Sequence, residues 1–191
     1  MILREGMVLY HGSYTEIDKI DLSLCVQGKD FGKGFYLTDS KSQAVSFIRN
    51  SLIKAKSHGR IPEDRSFGFV TEYVFKPDKN YSAFEFSGAD EQWLYYIGSN
   101  RRSGTASVLR KLLIDDYDRY DIISGKIAND DTNATLEAFL SGLYGDIGSP
   151  ESARVAIGLL KPERLSDQIC FRTERSLAML KKMGARRYDV R

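Results

Sequence analysis

The stretch FGKGFYLTDSKSQA, residues 31–44, predicts a strand followed by a helix. Its first half mixes glycine with aromatic residues, and its second half supplies a helix start, because aspartate and serine readily cap the first turn of a helix. We predict a strand over residues 34–38. A helix then runs from a cap at Asp39 or Ser40 to about Ser57, with apolar residues at helical spacing.

Short strand and helix patterns follow one another irregularly outside this stretch. Strands are predicted over residues 7–10, 67–75, 120–124 and 167–171, and helices over 91–97, 135–143 and 151–160. Thr173 is predicted to cap a last helix, SLAMLKKM, that ends at Gly184. Because no regular βαβ rhythm appears, the mixture favours an α+β fold over a doubly wound sheet. With 191 residues and no repeat or linker, we expect a single domain spanning residues 1–191.

The composition limits the classes of function. The chain has 28 basic and 26 acidic residues, a net charge of +2, which is too even to indicate nucleic-acid binding by bulk charge and leaves a local patch open. Lys33, Lys41 and the pair Arg101–Arg102 are expected to be solvated surface. Two cysteines favour reduced intracellular thiols over a disulfide framework.

The chain also shows no targeting or membrane segment. No apolar run has the length of a signal peptide or of a membrane span. We therefore expect no membrane association and a cytoplasmic location. Delivery as an effector by a specialised secretion system would leave no mark of this kind.

Several common catalytic motifs are missing from the sequence. It contains neither G-x-x-x-x-G-K-[ST] nor G-x-G-x-x-G, so it has no P-loop and no dinucleotide fingerprint. No G-x-S-x-G elbow is present, and two histidines with two scattered cysteines make no recognisable zinc site. No metal is predicted.

Three pieces remain that suit a flat ligand: His11–Gly12 in VLYHGS, the glycine-rich turn with Tyr36, and DQICF. Gly32 and Gly34 lack a Cβ, so a ligand can approach their backbone closely. Alternation along a strand places Tyr36 on the same face as Gly34, which makes a stacking slot. Taken singly, each residue also has a plain structural explanation: a histidine at a strand end, a half-buried strand tyrosine, glycines in a turn.

LYHGS followed by FGKGFYLTDSKSQA resembles the signature of the ADP-ribosyltransferase superfamily, in its histidine–tyrosine, poly(ADP-ribose) polymerase-like branch. The chain is most similar to bacterial toxin-like members, which YDIISGKIANDD and DQICFRTERSLAML also resemble. The matched pieces span most of residues 9–180. The resemblance implies a split β-sandwich flanked by helices, with an NAD cleft between two small sheets.

The resemblance also implies a role for each matching residue. His11 would hydrogen-bond the adenine-side ribose of NAD, and the Gly12 backbone would pair with the nicotinamide carboxamide. Tyr36 would stack on the nicotinamide ring, and Ser42 would reach the carboxamide. The full set assigned to NAD, the co-substrate, is His11, Gly12, Ser13, Phe31, Gly32, Gly34, Tyr36, Ser42 and Phe47.

Gln168 departs from the family pattern, which places glutamate there to hold the nicotinamide-ribose 2′-hydroxyl. An amide keeps an acceptor oxygen but loses charge. Neutral hydrogen bonds contribute ~0.5–1.5 kcal/mol and charged ones ~1.5–3, so the change costs on the order of tenfold to a hundredfold in rate. It also removes a candidate base for the acceptor. Asp130, Asp131 or Glu174 would compensate, with Asp130 preferred because similar members have an acidic pair there.

A second departure lies in the first turns of the predicted helix. The family's second stacking aromatic falls on Val45, and Phe47 is the candidate that replaces it from the next turn.

The resemblance predicts an NAD-dependent mono-ADP-ribosyltransferase, in which His11, Tyr36, Gln168 and Asp130 are the catalytic candidates. The acceptor is a protein or a nucleic acid, and a toxin role would imply a small neutralising antitoxin partner. Two alternatives stay open. One is a catalytically silent NAD or ADP-ribose-binding module, which Gln168 favours. The other is an RNA 2′-phosphotransferase, for which the sequence lacks a convincing arginine-rich phosphate motif.

Overall fold

The computed structural model describes residues 3–128 and 130–190, apart from the side chains of residues 130, 131 and 164. The strands are β1 (Val8–Ser13), β2 (Phe35–Leu37), β3 (Phe67–Phe75), β4 (Ala83–Glu85), β5 (Ile122–Lys126), β6 (Asp167–Phe171) and β7 (Leu180–Asp189). The helices are α1 (Lys41–Ser57), α2 (Glu91–Arg101), α3 (Ser103–Arg110), α4 (Asp130–Leu140), α5 (Pro150–Leu160) and α6 (Glu174–Ala178).

The strands form two sheets, so the α+β class is confirmed. One sheet has the order β1-β3-β7 and is antiparallel throughout, and the other has the order β2-β6-β5-β4 with only β4 and β5 parallel. A single bridge between Tyr10 and Thr38 connects β1 of the first sheet with the chain just after β2 of the second.

Three apolar clusters hold these layers together. The cluster between the sheets includes Leu9 and Phe171, both fully buried. A larger cluster packs the other face of the four-stranded sheet against α2, α4 and α5 around Trp93. The third cluster covers the outer face of the three-stranded sheet with α1, through residues such as Ile48.

The helix predicted from the opening stretch is confirmed. Ser40 is its N-cap, with its side chain accepting a hydrogen bond from the Gln43 backbone, and the helix ends at Ser57. Its buried residues, Ala44, Ile48, Leu52 and Ala55, recur every three or four positions, so one stripe of α1 faces the sheet. The predicted strands over 67–75 and 167–171 are confirmed residue for residue.

The predicted last helix is wrong beyond Ala178. Thr173 caps a helix as expected, but that helix has five residues and the chain then forms β7, a ten-residue strand paired with β3. Lysine, leucine and methionine favour a helix locally, and the long-range ladder along β3 overrides that preference. Gly184 does not end a helix; it lies inside β7 with φ +158°, next to a register shift opposite Glu72.

Candidate functional site

The two sheets part where β1 and β2 diverge. Tyr10 and Thr38 exchange two backbone hydrogen bonds of 2.8 and 3.1 Å, so the backbone polar groups of Tyr10 point away from β3 and toward β2. Because these groups alternate between the two edges of a strand, those of Gly12 also point toward β2. By the same parity the backbone of Tyr36 faces β1. Beyond the bridge, Gly12 and Tyr36 therefore face each other, and no backbone hydrogen bond between described residues joins them. We term this place the β1–β2 split.

His11 spans the β1–β2 split. Its Nδ1 lies 2.8 Å from the carbonyl oxygen of Tyr36. A carbonyl only accepts, so Nδ1 carries the hydrogen and a neutral ring keeps a free lone pair on Nε2. Burial lowers the pKa of His11, and the hydrogen bond to Tyr36 opposes that shift less strongly. The ring lies 4.5 Å from that of Phe35, centroid to centroid. His11 is thus a neutral hydrogen-bond acceptor at Nε2.

The glycines at the site are required by close packing and by backbone conformation. A Cβ on Gly12 would overlap the carbonyl oxygen of Ala44, so glycine here lets α1 lie against β1. A Cβ on Gly34 would overlap Cys170 Sγ, so the space beside Gly34 is filled by β6. Gly32 adopts φ +76°, a left-handed conformation that suits glycine, and a Cβ there would be in van der Waals contact with Asn100 at 3.5 Å. Gly32 is itself buried, so neither turn glycine has open space beside its Cα.

Tyr36 is fixed by the turn that precedes it. Its hydroxyl donates to the Gly32 carbonyl at 2.7 Å and accepts from the Phe31 backbone N–H at 3.0 Å. Burial raises the pKa of Tyr36 well above its ordinary value, so the phenol stays protonated. The ring therefore has one orientation, set by two hydrogen bonds to the glycine-rich turn.

The remaining predicted NAD contacts differ in their access to the split. Phe31 is fully buried and packs near Phe86 and Tyr96, in the core behind the turn. Ser13 is buried at the end of β1. Ser42 is exposed on the first turn of α1, with its hydroxyl 3.0 Å from that of Ser40. Phe47 and Val45 are half-buried on α1.

Gln168 lies on β6 beside the bridge, because the β2–β6 register places it opposite Thr38. It is 6% exposed, and its Nε2 donates to Asp30 Oδ2 at 2.7 Å. The amide oxygen of Gln168 accepts no hydrogen bond from the part of the chain that the structure describes. Asp30 thus fixes the amide so that its remaining polar atom is an acceptor.

Asp30 and Arg101 are functional candidates that the sequence analysis missed. Asp30 is 4% exposed, and its carboxylate receives the Arg101 guanidinium at 2.6 Å and the Ala128 N–H at 2.9 Å. Arg101 also donates to the carbonyl of Ala128. The expectation that Arg101 is solvated surface is wrong: its side chain is 18% exposed and its charge is neutralised by Asp30. The one signal for Asp30 in the sequence is its position directly before the glycine-rich turn.

The acidic candidates separate in space. Asp130 and Asp131 begin α4, directly after the segment that contains Ala128, but both side chains lie outside the described part of the structure. Glu174 lies on α6 and lines a different cavity of about 320 Å³ with Tyr73 and Lys182. Glu174 is therefore not grouped with Gln168.

A second cavity, of about 470 Å³, is lined by Tyr96, Arg110, Tyr117 and the intervening loop. Neither cavity includes His11, Tyr36 or Gln168. The residues that meet at the β1–β2 split are His11, Gly12, Tyr36 and Gln168, and this place is separate from both hollows. Within residues 3–128 and 130–190, no helix is long and apolar enough to cross a bilayer. The same residues contain no cluster of three metal-binding side chains.

Comparison with known proteins gives one match. No curated protein and no solved structure is significantly similar to the chain. One family model, described as a protein of unknown function (DUF3990), matches residues 7–182, which includes every candidate residue above and all strands except most of β7. The chain therefore belongs to the DUF3990 family.

Proposed function

We propose that the chain is an NAD-dependent mono-ADP-ribosyltransferase with its active site at the β1–β2 split, in a split β-sandwich of the ADP-ribosyltransferase type. The proposal rests on three residues that lie together at this split. A neutral His11 faces it, Gly12 turns toward it backbone groups that pair with no described residue, and Gln168 lies beside it with a fixed amide. His11 and Gly12 come from one part of the chain and Gln168 from another, in the order of the resemblance, although glutamine replaces the glutamate of its pattern.

Gly12 is suited to a carboxamide. A planar amide needs one donor and one acceptor side by side, which the backbone N–H and C=O of a strand edge provide. The bridge at Tyr10 and Thr38 uses the equivalent groups two residues earlier, so the edge is already shown to pair at hydrogen-bond distance. The side chain of Tyr36 is held next to this edge, where its ring would cover a flat ligand.

When bound, NAD supplies a strained glycosidic bond whose cleavage releases neutral nicotinamide and leaves the ribose C1′ open to the acceptor nucleophile. His11 Nε2 would accept a hydrogen bond from a hydroxyl of the adenine-side ribose and fix the position of that sugar. The amide oxygen of Gln168, which Asp30 orients, would accept one from the 2′-hydroxyl of the nicotinamide ribose. The acceptor's proton must go to a base, and Asp130 is the candidate from the resemblance. Positioning of this kind supplies much of the acceleration in group transfer.

A silent NAD-binding module is the second candidate, and Gln168 favours it. An amide held by a carboxylate that Arg101 neutralises brings no net negative charge to the ribose. Such a site would bind NAD or ADP-ribose without breaking the glycosidic bond. The toxin role and its neutralising partner rest on the resemblance alone; co-purification of a small partner would support them, and harmless expression without one would count against them.

The experiment that tests the proposal uses the two histidines of the chain. His11 and His58 each place Nδ1 on a backbone carbonyl, at 2.8 and 2.6 Å, but His58 is exposed in a loop. We expect purified protein to release nicotinamide from NAD, His11→Ala to lose at least tenfold in rate, and His58→Ala to keep the wild-type rate. NAD binding without any release would identify the silent module. Absence of both binding and release would refute the proposal.

A further inference from the structure

An aromatic–arginine cluster lies at the end of the three-stranded sheet where β3 begins and β7 ends. It comprises Arg65, Phe67, Phe69 and Arg187. The guanidinium carbon of Arg187 is 3.7 Å from the centre of the Phe67 ring, and that of Arg65 is 4.4 Å away. Phe67 and Phe69 meet edge to face at 6.1 Å. The cluster is thus a set of stacked planar groups that carries two positive charges.

The strand register places this cluster on the same sheet face as His11. Ser13 pairs with Phe69, and Phe69 pairs with Arg187, so their side chains share one face. His11 is two residues along β1 from Ser13 and therefore on that face as well, about 7 Å further along the strand. A ligand on the cluster would reach toward the β1–β2 split.

The arginines of the cluster have unused capacity for an anion. Arg65 makes no ion pair within the described residues; one of its nitrogens donates to the Tyr14 carbonyl at 3.1 Å, and its Nε is buried without a partner. A buried donor without an acceptor is uncommon in folded proteins. Arg187 pairs with Asp189 at 3.0 Å, but both side chains are mostly exposed, so water screens the pair strongly. The cluster therefore retains positive charge.

The edge strand β7 carries further cations, but not on the face of the cluster. Arg186 pairs with Val70 and Lys181 pairs with Val74, so both lie on the sheet face opposite Phe69. Lys182 is neutralised by Glu16 and Asp18. Cations on an edge strand commonly protect a sheet from unwanted pairing. That role needs no aromatic stacking and no buried unpaired N–H, so it does not account for the cluster.

We propose that the aromatic–arginine cluster binds single-stranded nucleic acid, with the arginines on phosphate groups and a base stacked on the phenylalanine and guanidinium planes. Aromatic platforms with adjacent cations recognise single strands of many sequences, because every base has a flat face. That the bound strand is also the ADP-ribose acceptor rests on the proposed function above.

The binding test uses a fluorescein-labelled 20-nucleotide single-stranded DNA, followed by anisotropy at several salt concentrations without NAD. We expect salt-dependent binding. Arg187→Ala should reduce the salt slope by about 0.7, the share of one phosphate contact on a single strand. Phe69→Leu should weaken affinity on the order of tenfold, the typical loss of one stacked base. Arg154→Ala is the matched control, because Arg154 is also an exposed arginine paired with a nearby carboxylate, on α5.

No binding, or equal effects of Arg187→Ala and Arg154→Ala, would overturn the nucleic-acid surface. A thermal melt of each variant separates lost binding from lost folding. Adding NAD with a labelled adenosine then tests the acceptor: label on the oligonucleotide supports it, and label only on protein overturns it. Because binding is measured without NAD, a failure of the proposed enzyme activity leaves the binding result readable by itself.

Discussion

The substitution Gln168→Glu introduces the residue that the ADP-ribosyltransferase pattern has at this position, and it should destabilise this protein at neutral pH. In the wild type, Gln168 Nε2 lies 2.7 Å from Asp30 Oδ2. Glutamate would place a second carboxylate oxygen there, in a site only 4–6% exposed. Two buried carboxylates at this distance repel each other and Arg101 offsets only one of the two charges, so the pair should retain one proton. The protonated group then donates to the other carboxylate as the amide did.

The loss in unfolding free energy of this variant depends on the pH. A free glutamate ionises near pH 4.3, so holding one proton to pH 7 costs about 1.4 kcal/mol for each pH unit above that value. The loss in unfolding free energy should be small at pH 4. It should grow as the pH rises, and reach about 3–4 kcal/mol at pH 7 if the raised pKa lies at or above 7. The direction of this pH dependence is that of a group whose pKa is raised by folding. The free energy of unfolding is unaffected below the unfolded-state pKa, and it falls as the pH rises from that value toward the folded-state pKa.

Urea denaturation followed by the fluorescence of Trp93, the single tryptophan, measures this loss. Trp93 is fully buried and donates to the Lys126 carbonyl, so its emission should report unfolding. Gln168→Leu is the control, since it removes the hydrogen bond without adding a titratable group, and its deficit should not follow the pH in this way. A glutamate variant as stable as wild type at pH 7, or one whose deficit is the same at pH 4 and 7, would refute the assigned contact with Asp30.

Three further outcomes follow from the packing. Arg101→Ala leaves Asp30 buried without its cation and should lower the free energy of unfolding in chemical denaturation by about 3–5 kcal/mol. Arg102→Ala, at an exposed side chain, should lower it by less than about 1 kcal/mol. Equal losses in the two variants would contradict the buried ion pair. Gly34→Ala forces a Cβ into β6 and should cost about 1–3 kcal/mol or more, while Gly88→Ala meets no atom within 4 Å and should lower the melting temperature far less. Cys170 is buried, which raises the pKa of its thiol to about 12. In a Cys25→Ser background, which removes the half-buried second thiol, maleimide should modify the protein only after unfolding, and rapid labelling of the native variant would show that β6 is accessible.

The sequence predicted those elements whose signals are local. The cap at Ser40 and the periodicity of α1 are contained within one helix, and the alternation of β3 within one strand. Helix α3 and strand β4 were not predicted, because both are short, with eight and three residues. The strand β7 was misassigned because its partner β3 lies about a hundred residues earlier in the chain.

The site could be predicted in part for the same reason. His11 and Tyr36 are carried by recognisable local motifs, and the structure brings them within one hydrogen bond of each other. Asp30 and Arg101 were missed because a lone aspartate or arginine gives no sign of burial until the fold pairs them. Their ion pair joins residues 71 positions apart. Gln168 appeared as a weakened catalytic residue, and the fold adds that Asp30 orients it.

We propose that the protein binds NAD at the β1–β2 split and transfers its ADP-ribose to a macromolecule. The most direct measurement follows NAD labelled in its adenosine half, incubated with the protein and a cell lysate, beside Tyr36→Ala and Gln168→Ala. We predict label on macromolecules, lost on the order of a hundredfold in Tyr36→Ala and reduced in Gln168→Ala, with all three proteins folded by circular dichroism. Label that persists equally in both variants, or no label with wild-type protein under any condition, would contradict the claim.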